Sequence, residues 1–397
     1  MTVMIGVGAG SRYETKEANG LSHFLEHMLF KGTKKRPRTL DIAVTLDSMG
    51  GIFQGGTGKE FTFFYVKANA SHQSTAFDIL TDMVLNSKFA PEEIERERGV
   101  IIEEINMYED TPFLKIFEVF ESLLYSPTSL GWYIAGKKEN IRAIKREDFL
   151  TYQNRLYSPE NIVVVKAGKV EEKESLELTE RYFSKLKGKQ KEEFKPALFK
   201  QNAPRVRLRQ KKTSQSHFCL GVRAYAQNHP DRYVLEVLTT ILGGSLSSRM
   251  VVQVREKRGL AYYIRSVAEN YLDNGYLMTK AGVDINKIDE AIKVILDEYQ
   301  KVVSERISQD ELKRGKEFLK GRLILELEDS QEVAENYALQ AILEDKIRDP
   351  DETIQLIEKV TSEDLQRVAR DIFRPENLNL AIIGPYNDEE RFLGLLK

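Results

Sequence analysis

The sequence predicts an α+β fold of two homologous domains, each a mainly antiparallel sheet with helices packed on one face. Three observations support this prediction. A stretch in the first half of the chain recurs in the second half, strand-like runs alternate with long amphipathic helices, and 397 residues with 41% hydrophobic side chains can bury two cores. We therefore expect a first domain over residues 1–186, a linker over 187–204 and a second domain over 205–397.

The repeat covers residues 147–168 and 363–384. The prolines that lead its turns, Pro159 and Pro375, are 216 positions apart (375 − 159). Each copy reads as a helix, a proline-led turn and a buried strand that ends at glycine. Two copies are too few for a solenoid, so the repeat predicts two similar domains joined by the charged, lysine-rich linker.

Strand-like apolar runs appear in both copies. Residues 60–66 of the first copy and 275–279 of the second are predicted strands, and residues 4–7 resemble residues 219–222. The second copy has a further strand-like run at 206–209, for which the first copy has no counterpart. We therefore expect that the first domain has lost sequence ahead of its first strand.

The charge balance argues against partners recognised through bulk charge. The 59 basic and 61 acidic side chains give a net charge of −2 and are mixed along the chain, so we expect neither nucleic acid nor a membrane as a partner. No apolar run is long enough to span a membrane, and the first residues lack the basic lead of a signal peptide. The single cysteine, Cys219, excludes an intrachain disulfide and is predicted to be buried in a strand. These features favour a cytoplasmic protein.

The most informative stretch contains two histidines four residues apart, His23 and His27, with Glu26 directly before the second. Positions i and i+4 share one helical face, so both imidazoles can bind one metal ion, and Glu26 can act on the water it carries. This order is the inverted form of the zinc-protease signature. Asn19 and Ser22 are candidate helix caps. Histidines beside apolar residues are also typical of a hydrogen-bonded core, but two of the chain's 5 histidines lie here.

Two histidines leave a zinc site one protein ligand short, and an acid-rich helix that begins at Pro91 offers that ligand. Glu97 and Glu104 are seven residues apart, about two turns, and therefore share a face. Glu103 points about 100° away from Glu104, which makes it the weaker candidate. The second copy has no counterpart of the histidine motif, so metal chemistry is expected in the first domain alone.

With these residues the sequence resembles the pitrilysin/insulysin family of zinc metallopeptidases. The similarity is to the short-chain branch that includes the mitochondrial processing peptidase and related bacterial peptidases. It covers nearly the whole chain, and residues 10–14, 19–20 and 23–33 look like the family's most specific block. The resemblance implies that the two domains form a metallopeptidase-like tandem repeat.

The resemblance also implies one Zn²⁺ per chain, bound by His23, His27 and Glu104, which lies 77 positions after His27 (104 − 27). Glu26 would then be the general base. Glu97 would be a second catalytic-site acid that supports the metal ligands.

The second half carries an independent match. A basic segment is similar to the family's substrate-contacting segment, which implies that Arg255 and Tyr262 bind the peptide. Without the resemblance, this run would be interpreted as the solvated end of a helix. The strand that receives substrate in the family usually shows Asn-Ala, whereas Phe53 and Gln54 are followed here by two glycines. Phe53 and Gln54 are therefore predicted substrate-binding residues on an edge that departs from the family pattern.

Together these observations predict a zinc endopeptidase that hydrolyses unfolded or flexible polypeptides, bound as a strand added to a sheet edge. Two alternatives remain. One is a catalytically silent scaffold or processing-partner subunit of the same family, and the other is a small-molecule hydrolase with a closed metal pocket. Because the zinc residues lie in the first copy, and Arg255 and Tyr262 in the second, we also expect a two-fold homodimer with shared active sites.

Overall fold

The structure, a computed structural model, describes residues 1–187, 194–197 and 199–397. Part of the predicted linker, 187–204, lies outside these described residues. The chain divides into two compact units, each assembled from separate segments. Unit 1 comprises Met1–Met107, Trp132–Lys195 and Leu325–Ile347, and unit 2 comprises Tyr108–Gly131, Pro196–Ile324 and Arg348–Lys397.

The described residues form one sheet in each unit. In unit 1 the strands are β1 (Thr2–Val7), β2 (Ile52–Thr57), β3 (Thr62–Lys67) and β4 (Ile162–Ala167), which pair antiparallel in the order β2-β3-β1-β4. In unit 2 they are β5 (Arg205–Gln210), β6 (Gln215–Ala224), β7 (Ala261–Asn270), β8 (Gly275–Asp284) and β9 (Asn379–Gly384). Their order is β5-β9-β6-β8-β7, and only the β5–β9 pair is parallel.

The helices connect and cover these sheets. In the first half they are α1 (Leu21–Leu29), α2 (Thr39–Asp47), α3 (Gln73–Asn86), α4 (Pro91–Asp110), α5 (Pro112–Tyr125), α6 (Lys138–Ala143), α7 (Arg146–Leu156) and α8 (Glu172–Phe183). In the second half they are α9 (Arg232–Thr239), α10 (Ile288–Ser304), α11 (Gln309–Glu326), α12 (Ser330–Leu343), α13 (Pro350–Glu358), α14 (Ser362–Ile372) and α15 (Glu389–Leu395). Two π-helical segments, Thr240–Gly244 and Val251–Glu256, follow α9.

The predicted fold class is confirmed, and the internal repeat appears as repeated structure. Helix α7, a proline-led turn and β4 in unit 1 recur as α14, a proline-led turn and β9 in unit 2. Strand β5 is the additional run predicted at 206–209. Among the described residues, unit 1 has no strand in the equivalent position beside β4.

The compact units differ from the continuous domains expected at 1–186 and 205–397, because each sheet is covered on its second face by a helix from the other half of the sequence. In unit 1, α12 packs through Ala334 and Ala338 against Met4 and Tyr65 of the sheet. The small alanines allow the helix to lie close to β1 and β4.

In unit 2, α5 covers the sheet in the same way. Ile116 and Phe120 of this helix are buried against Cys219, Tyr276 and neighbouring strand residues. Cys219 is fully buried in β6, as the sequence predicted. The expected packing of helices on one face is therefore only part of the arrangement, since apolar residues on both faces of each sheet are covered.

The main core of unit 1 lies between its sheet and α1, α3, α4 and α7. It places α1 beside the edge strand β2 and brings α4 alongside α1. This packing positions the residues of the histidine motif next to those of the acid-rich helix.

Candidate metal centre

Helix α1 presents the histidine motif on its less buried side. Its apolar residues, Leu21, Phe24, Leu25, Met28 and Leu29, are all at most 4% exposed and anchor the helix in the core. His23, Glu26 and His27 are partly exposed on the remaining surface. Burying the apolar face therefore fixes which side of the helix carries the polar groups.

The start of α1 differs from the sequence prediction. The helix follows Gly20, whose φ of +103° lies in the left-handed region, and no side chain caps it directly. A Cβ at Gly20 would lie 2.6 Å from Ile141 and 2.8 Å from the Ala135 carbonyl oxygen, so the close packing also requires glycine. Asn19 and Ser22 were predicted to be caps, and this was wrong, because both side chains instead donate hydrogen bonds to another residue's carboxylate, described below.

His23, His27 and Glu104 converge, with one ligand atom from each lying within 4.8 Å of the others. Glu104 Oε1 is 3.6 Å from His23 Nε2, and Glu104 Oε2 is 3.6 Å from His27 Nε2. The two imidazole rings are 4.6 Å apart between centroids. Glu103, the weaker candidate, is exposed on another side of α4.

These three residues fit a zinc ion. Two ligand atoms at about 2.0 Å from tetrahedral zinc are separated by about 3.3 Å, close to the observed spacing of imidazole nitrogen and carboxylate oxygen. Two imidazoles and one carboxylate are also a donor set typical of catalytic zinc, and three protein ligands leave one position open.

Glu97 holds one of the two histidines. It is 4% exposed, and its Oε1 lies 2.8 Å from His27 Nδ1. Its Oε2 pairs with Lys31 Nζ at 2.6 Å. A carboxylate on the second ring nitrogen fixes the orientation and tautomer of a metal-binding histidine. The predicted sharing of one face by Glu97 and Glu104 is therefore observed, with different partners for the two acids.

His23 has no comparable partner. Its Nδ1 is buried, and none of the described residues forms a hydrogen bond with it. The two histidines of the motif therefore face Glu104 symmetrically but are supported differently.

Glu26 stands apart from the three converging residues. Its Oε2 accepts a 2.6 Å hydrogen bond from Thr57 Oγ1, at the end of β2. The backbone of Gly55 passes close by, since a Cβ there would lie 3.1 Å from Glu26 Cγ and 3.0 Å from Phe64. The glycine that departs from the family pattern therefore leaves room for the Glu26 side chain.

Burial and charge set the protonation of this centre. Burial, with a smaller effect of His27, lowers the pKa of His23 to about 3, so its imidazole is neutral and able to bind metal. Burial raises the pKa of Glu26, and the charge of Glu104 adds to that shift. Burial acts to lower the pKa of His27, but the carboxylates of Glu97, Glu26 and Glu104 outweigh it and raise that pKa. Such a concentration of acids favours a bound cation.

The edge strand β2 carries the two predicted substrate residues on opposite faces. Phe53 packs against Phe30, with ring centroids 5.8 Å apart, and is partly buried. Gln54 is exposed, and its Oε1 accepts a 3.2 Å hydrogen bond from Tyr65. Gln54 is therefore the more exposed of the two side chains.

Arg255 and Tyr262 belong to unit 2 and lie outside the cluster of unit 1. Arg255 is in the second π-helical segment, and its side chain is 48% exposed. Tyr262 lies where the pairing register of β7 shifts, and it is 79% exposed. A bulge turns a side chain away from its regular direction, which explains why a strand tyrosine projects outward.

Sequence reasoning missed three residues at this centre. Lys31 is four positions after His27, and this helical spacing could have suggested it. Thr57 contacts Glu26 from a different element, and no sequence pattern links them. The third is Glu14, which accepts hydrogen bonds at the start of α1.

No described helix is long and apolar enough to cross a membrane.

Two family models match the chain, "Insulinase (Peptidase family M16)" over residues 1–137 and "Peptidase M16 inactive domain" over residues 143–319. The chain belongs to peptidase family M16. It is similar to an uncharacterized zinc protease, YmxG, of Bacillus subtilis, with 35% identity over 97% of this chain and 93% of that protein. An uncharacterized zinc protease of Rickettsia felis is 34% identical over 96% of this chain and 92% of the relative.

Solved structures share the fold. A protease from Helicobacter pylori has a TM-score of 0.91 at 23% identity, covering 97% of this chain and 94% of that one. A chain of Complex III2 from Candida albicans has a TM-score of 0.84 at 18% identity, covering 100% and 94%. At these identities the likeness concerns the tandem α+β architecture.

Proposed function

We propose that this protein is a zinc-dependent endopeptidase that hydrolyses peptide bonds in unfolded or flexible polypeptides, with one Zn²⁺ per chain. The observation that carries the proposal is the convergence of His23, His27 and Glu104, with a fourth residue, Glu26, bonded to Thr57 beside them. Relatives named as zinc proteases support the choice of metal and reaction class.

Each residue of the centre has a separate role in this proposal. His23, His27 and Glu104 would hold the metal. Bound zinc would supply a Lewis acid that acidifies a water molecule and polarises the substrate carbonyl. Glu26 is not needed as a ligand, so its carboxylate is free to take a proton from the attacking water and to deliver it to the leaving amine. Burial raises the pKa of Glu26, which brings it nearer to that of a base working close to neutral pH.

The substrate would bind as an extended strand at the free edge of β2. Backbone hydrogen bonds along this edge do not depend on side-chain identity, so many sequences can bind provided that they are unfolded. Gln54 would offer its amide to the peptide. Arg255 and Tyr262 are exposed and therefore available to hold the peptide backbone or the developing negative charge, as the resemblance implies.

Replacing Glu26 with glutamine tests this assignment. Glu26→Gln should retain zinc and lose cleavage of an unfolded casein substrate, because it removes a base and leaves all three ligands. His27→Ala and Glu104→Gln should lose both zinc and cleavage. The matched control is Glu103→Gln, an exposed acid on α4 whose loss should change neither. The assignment is wrong if Glu26→Gln loses its metal while Glu104→Gln keeps full metal and activity.

A silent scaffold is the main alternative, and the same measurement separates the two. A scaffold needs no metal residues, whereas this chain has two imidazoles and one carboxylate in one cluster, and a separate acid, Glu26, bonded to Thr57. Purified protein that takes up no zinc on reconstitution would favour the scaffold. The small-molecule hydrolase would retain zinc but leave casein intact.

The assembly proposed here is a homodimer with shared active sites, acting in the cytoplasm on peptide substrates. Unit 1 carries the proposed zinc ligands, and unit 2 carries Arg255 and Tyr262. A two-fold dimer would let unit 1 of one chain work with unit 2 of its partner. The net charge of −2 supports neither nucleic acid nor a membrane as a further partner.

A further inference from the structure

Glu14 lies seven residues before α1 and is buried, with 7% of its surface exposed. Its Oε1 accepts hydrogen bonds from Ser22 N at 2.7 Å and from Ser22 Oγ at 2.6 Å. Its Oε2 accepts from Gly20 N and from Asn19 Nδ2, both at 2.9 Å. All four donors belong to the first turn of α1 or to the two residues directly before it.

These contacts replace an ordinary helix cap. The first backbone N–H groups of a helix have no partner within the helix, and a nearby side-chain oxygen usually satisfies one of them. Here a single distant carboxylate takes two backbone N–H groups and also orders the side chains of Asn19 and Ser22. A carboxylate at this end is further favoured by the helix dipole.

The consequence for the metal centre follows from where His23 lies. It is the third residue of α1 and directly follows Ser22, the main partner of Glu14. His27 is held by Glu97, but none of the described residues bonds His23 Nδ1. The position of His23 therefore depends on the backbone at the start of α1.

We propose that Glu14 is a positioning residue for the metal centre, which fixes the first turn of α1 and thereby places His23 opposite Glu104. The inference rests on the proposed zinc site. In this proposal Glu14 supports His23 through the backbone, whereas Glu97 supports His27 by direct contact. Glu14 itself touches neither metal nor substrate.

The test measures zinc affinity of Glu14→Gln by competition with a chromophoric chelator at pH 8. Glutamine keeps the size of the side chain but replaces one acceptor oxygen with an NH2 group. That group is a donor and would face the donors at the start of α1, with which it cannot form the same hydrogen bonds. Loss of an outer support typically weakens metal binding about 10- to 100-fold, so we expect at least a tenfold weaker zinc affinity. The matched control is Glu121→Gln in unit 2, which replaces another buried carboxylate, 3% exposed and bonded to Tyr271 and Tyr276. It should change zinc affinity less than twofold.

Thermal melting of the zinc-free proteins separates positioning from general stability. If both carboxylates served stability alone, Glu14→Gln and Glu121→Gln would each lower the melting temperature and would each weaken zinc affinity in proportion to that loss. If Glu14 positions α1, only Glu14→Gln weakens zinc affinity. Ser22→Ala gives a second measurement if Glu14→Gln does not fold. It removes one donor and keeps the backbone bond, so it should weaken zinc binding by a smaller factor, and Ser22→Thr should restore it.

Wild-type zinc affinity in a folded Glu14→Gln would overturn the proposal, as would an equal loss in Glu121→Gln. If Glu14→Gln is unfolded, unchanged affinity in Ser22→Ala overturns it. Zinc binding without peptide cleavage would contradict the proposed function and leave the role of Glu14 standing. Absence of zinc binding by the wild type would overturn both.

Discussion

His23 and His27 face the same carboxylate but are held in different ways. Glu97 bridges His27 Nδ1 and Lys31, so it is bound on both of its oxygens. Burial acts to raise the pKa of Glu97, but His27 and Lys31 outweigh it and lower that pKa, which keeps the residue ionised. Lys31 therefore supports His27 indirectly, by fixing the charge and position of Glu97.

The contacts from Lys31 through Glu97 to His27 predict that loss of Glu97 slows cleavage more than loss of Lys31 does. Glu97→Gln should still bind zinc but cleave casein about 10- to 100-fold more slowly, because His27 loses its ionised partner. Lys31→Met should have a smaller effect in the same direction. Initial rates at saturating zinc provide the measurement, with Lys34→Met as a control lysine outside this contact chain. Wild-type rates in Glu97→Gln would mean that the buried acid serves folding alone.

Glu14 gives a prediction for stability against pH. Burial raises its pKa to about 7, against the opposing effect of its hydrogen bonds from Ser22, Asn19 and Gly20. The titratable group that faces it, Tyr152 on α7, has a pKa held well above its ordinary value by burial and by Glu14, and so stays neutral. A carboxyl whose pKa is higher in the folded state contributes most stability below its unfolded value of about 4.5, and loses that contribution as the pH rises through about 7.

The free energy of unfolding of wild type relative to Glu14→Gln should therefore fall by about 3 kcal/mol between pH 4.5 and 8. Urea unfolding of both proteins, free of zinc, measures this difference. A difference that stays constant across this window would show that Glu14 titrates at its ordinary pKa in the folded protein. The ionised carboxylate of Glu14 is therefore expected to lower the free energy of unfolding at neutral pH. This is consistent with a residue whose role is positioning.

At the scale of elements, the metal centre depends on three segments that meet in unit 1. Helical periodicity predicts that His23 and His27 share one face of α1 and that Glu97 and Glu104 share one face of α4, while the expectation that the two helices meet came from the family resemblance. The contact between Glu26 and Thr57 could not be predicted, since it joins α1 to β2 and periodicity carries no information between elements. For the same reason, the helices that each half of the sequence contributes to the other unit, α5 and α12, were not foreseen.

Gly55 and Gly56 of β2 also make contacts with other elements that the sequence pattern does not predict. From sequence they look like a defect in a substrate-binding edge, but in the structure side chains lie close to both of them. Gly55 passes Glu26 and Phe64, while a Cβ at Gly56 would lie 2.6 Å from the ring of Phe63. Aromatic rings that line β3 therefore occupy space that side chains on β2 would otherwise fill.

Gly55→Ala should slow cleavage about tenfold with zinc affinity unchanged, because its methyl group displaces Glu26 from Thr57 by a few tenths of an ångström, and catalytic geometry is sensitive to such shifts. Steady-state kinetics and zinc titration together test this. The control is Gly99→Ala on α4, where the added methyl meets no atom within 4 Å and should raise stability by up to about 1 kcal/mol. Unchanged kinetics in Gly55→Ala would show that Glu26 can adjust at no cost.

At the scale of the whole molecule, one repeated architecture carries two different sets of residues. Unit 1 has the cluster of His23, His27 and Glu104, and unit 2 has no counterpart of it among the described residues. Unit 2 instead exposes Arg255 on a π-helical segment and Tyr262 at an irregularity of β7. Both features interrupt regular structure, and such interruptions occur often at functional sites. This division of residues is the basis for proposing that the active site of a homodimer is shared.

Subunit exchange tests the shared site directly. A Glu26→Gln chain is mixed with an Arg255→Ala/Tyr262→Phe chain and allowed to exchange, with mass spectrometry to confirm mixed dimers. Random pairing makes half of the dimers mixed, and each would contain one wholly intact site, which gives about one quarter of wild-type activity. Neither parent alone should approach this level, because each lacks one half of every site.

The control mixes the Glu26→Gln chain with a His27→Ala chain. Both changes lie in unit 1, so every site in the mixed dimers keeps a defect and no activity should return. If exchange is complete but the first mixture is no more active than its parents, each site is built within one chain, and the proposed sharing is wrong. Recovery in both mixtures would instead indicate that the assay detects activity from reassorted fragments or a contaminant. Recovery in the first mixture alone requires that zinc residues of one subunit work with Arg255 and Tyr262 of its partner.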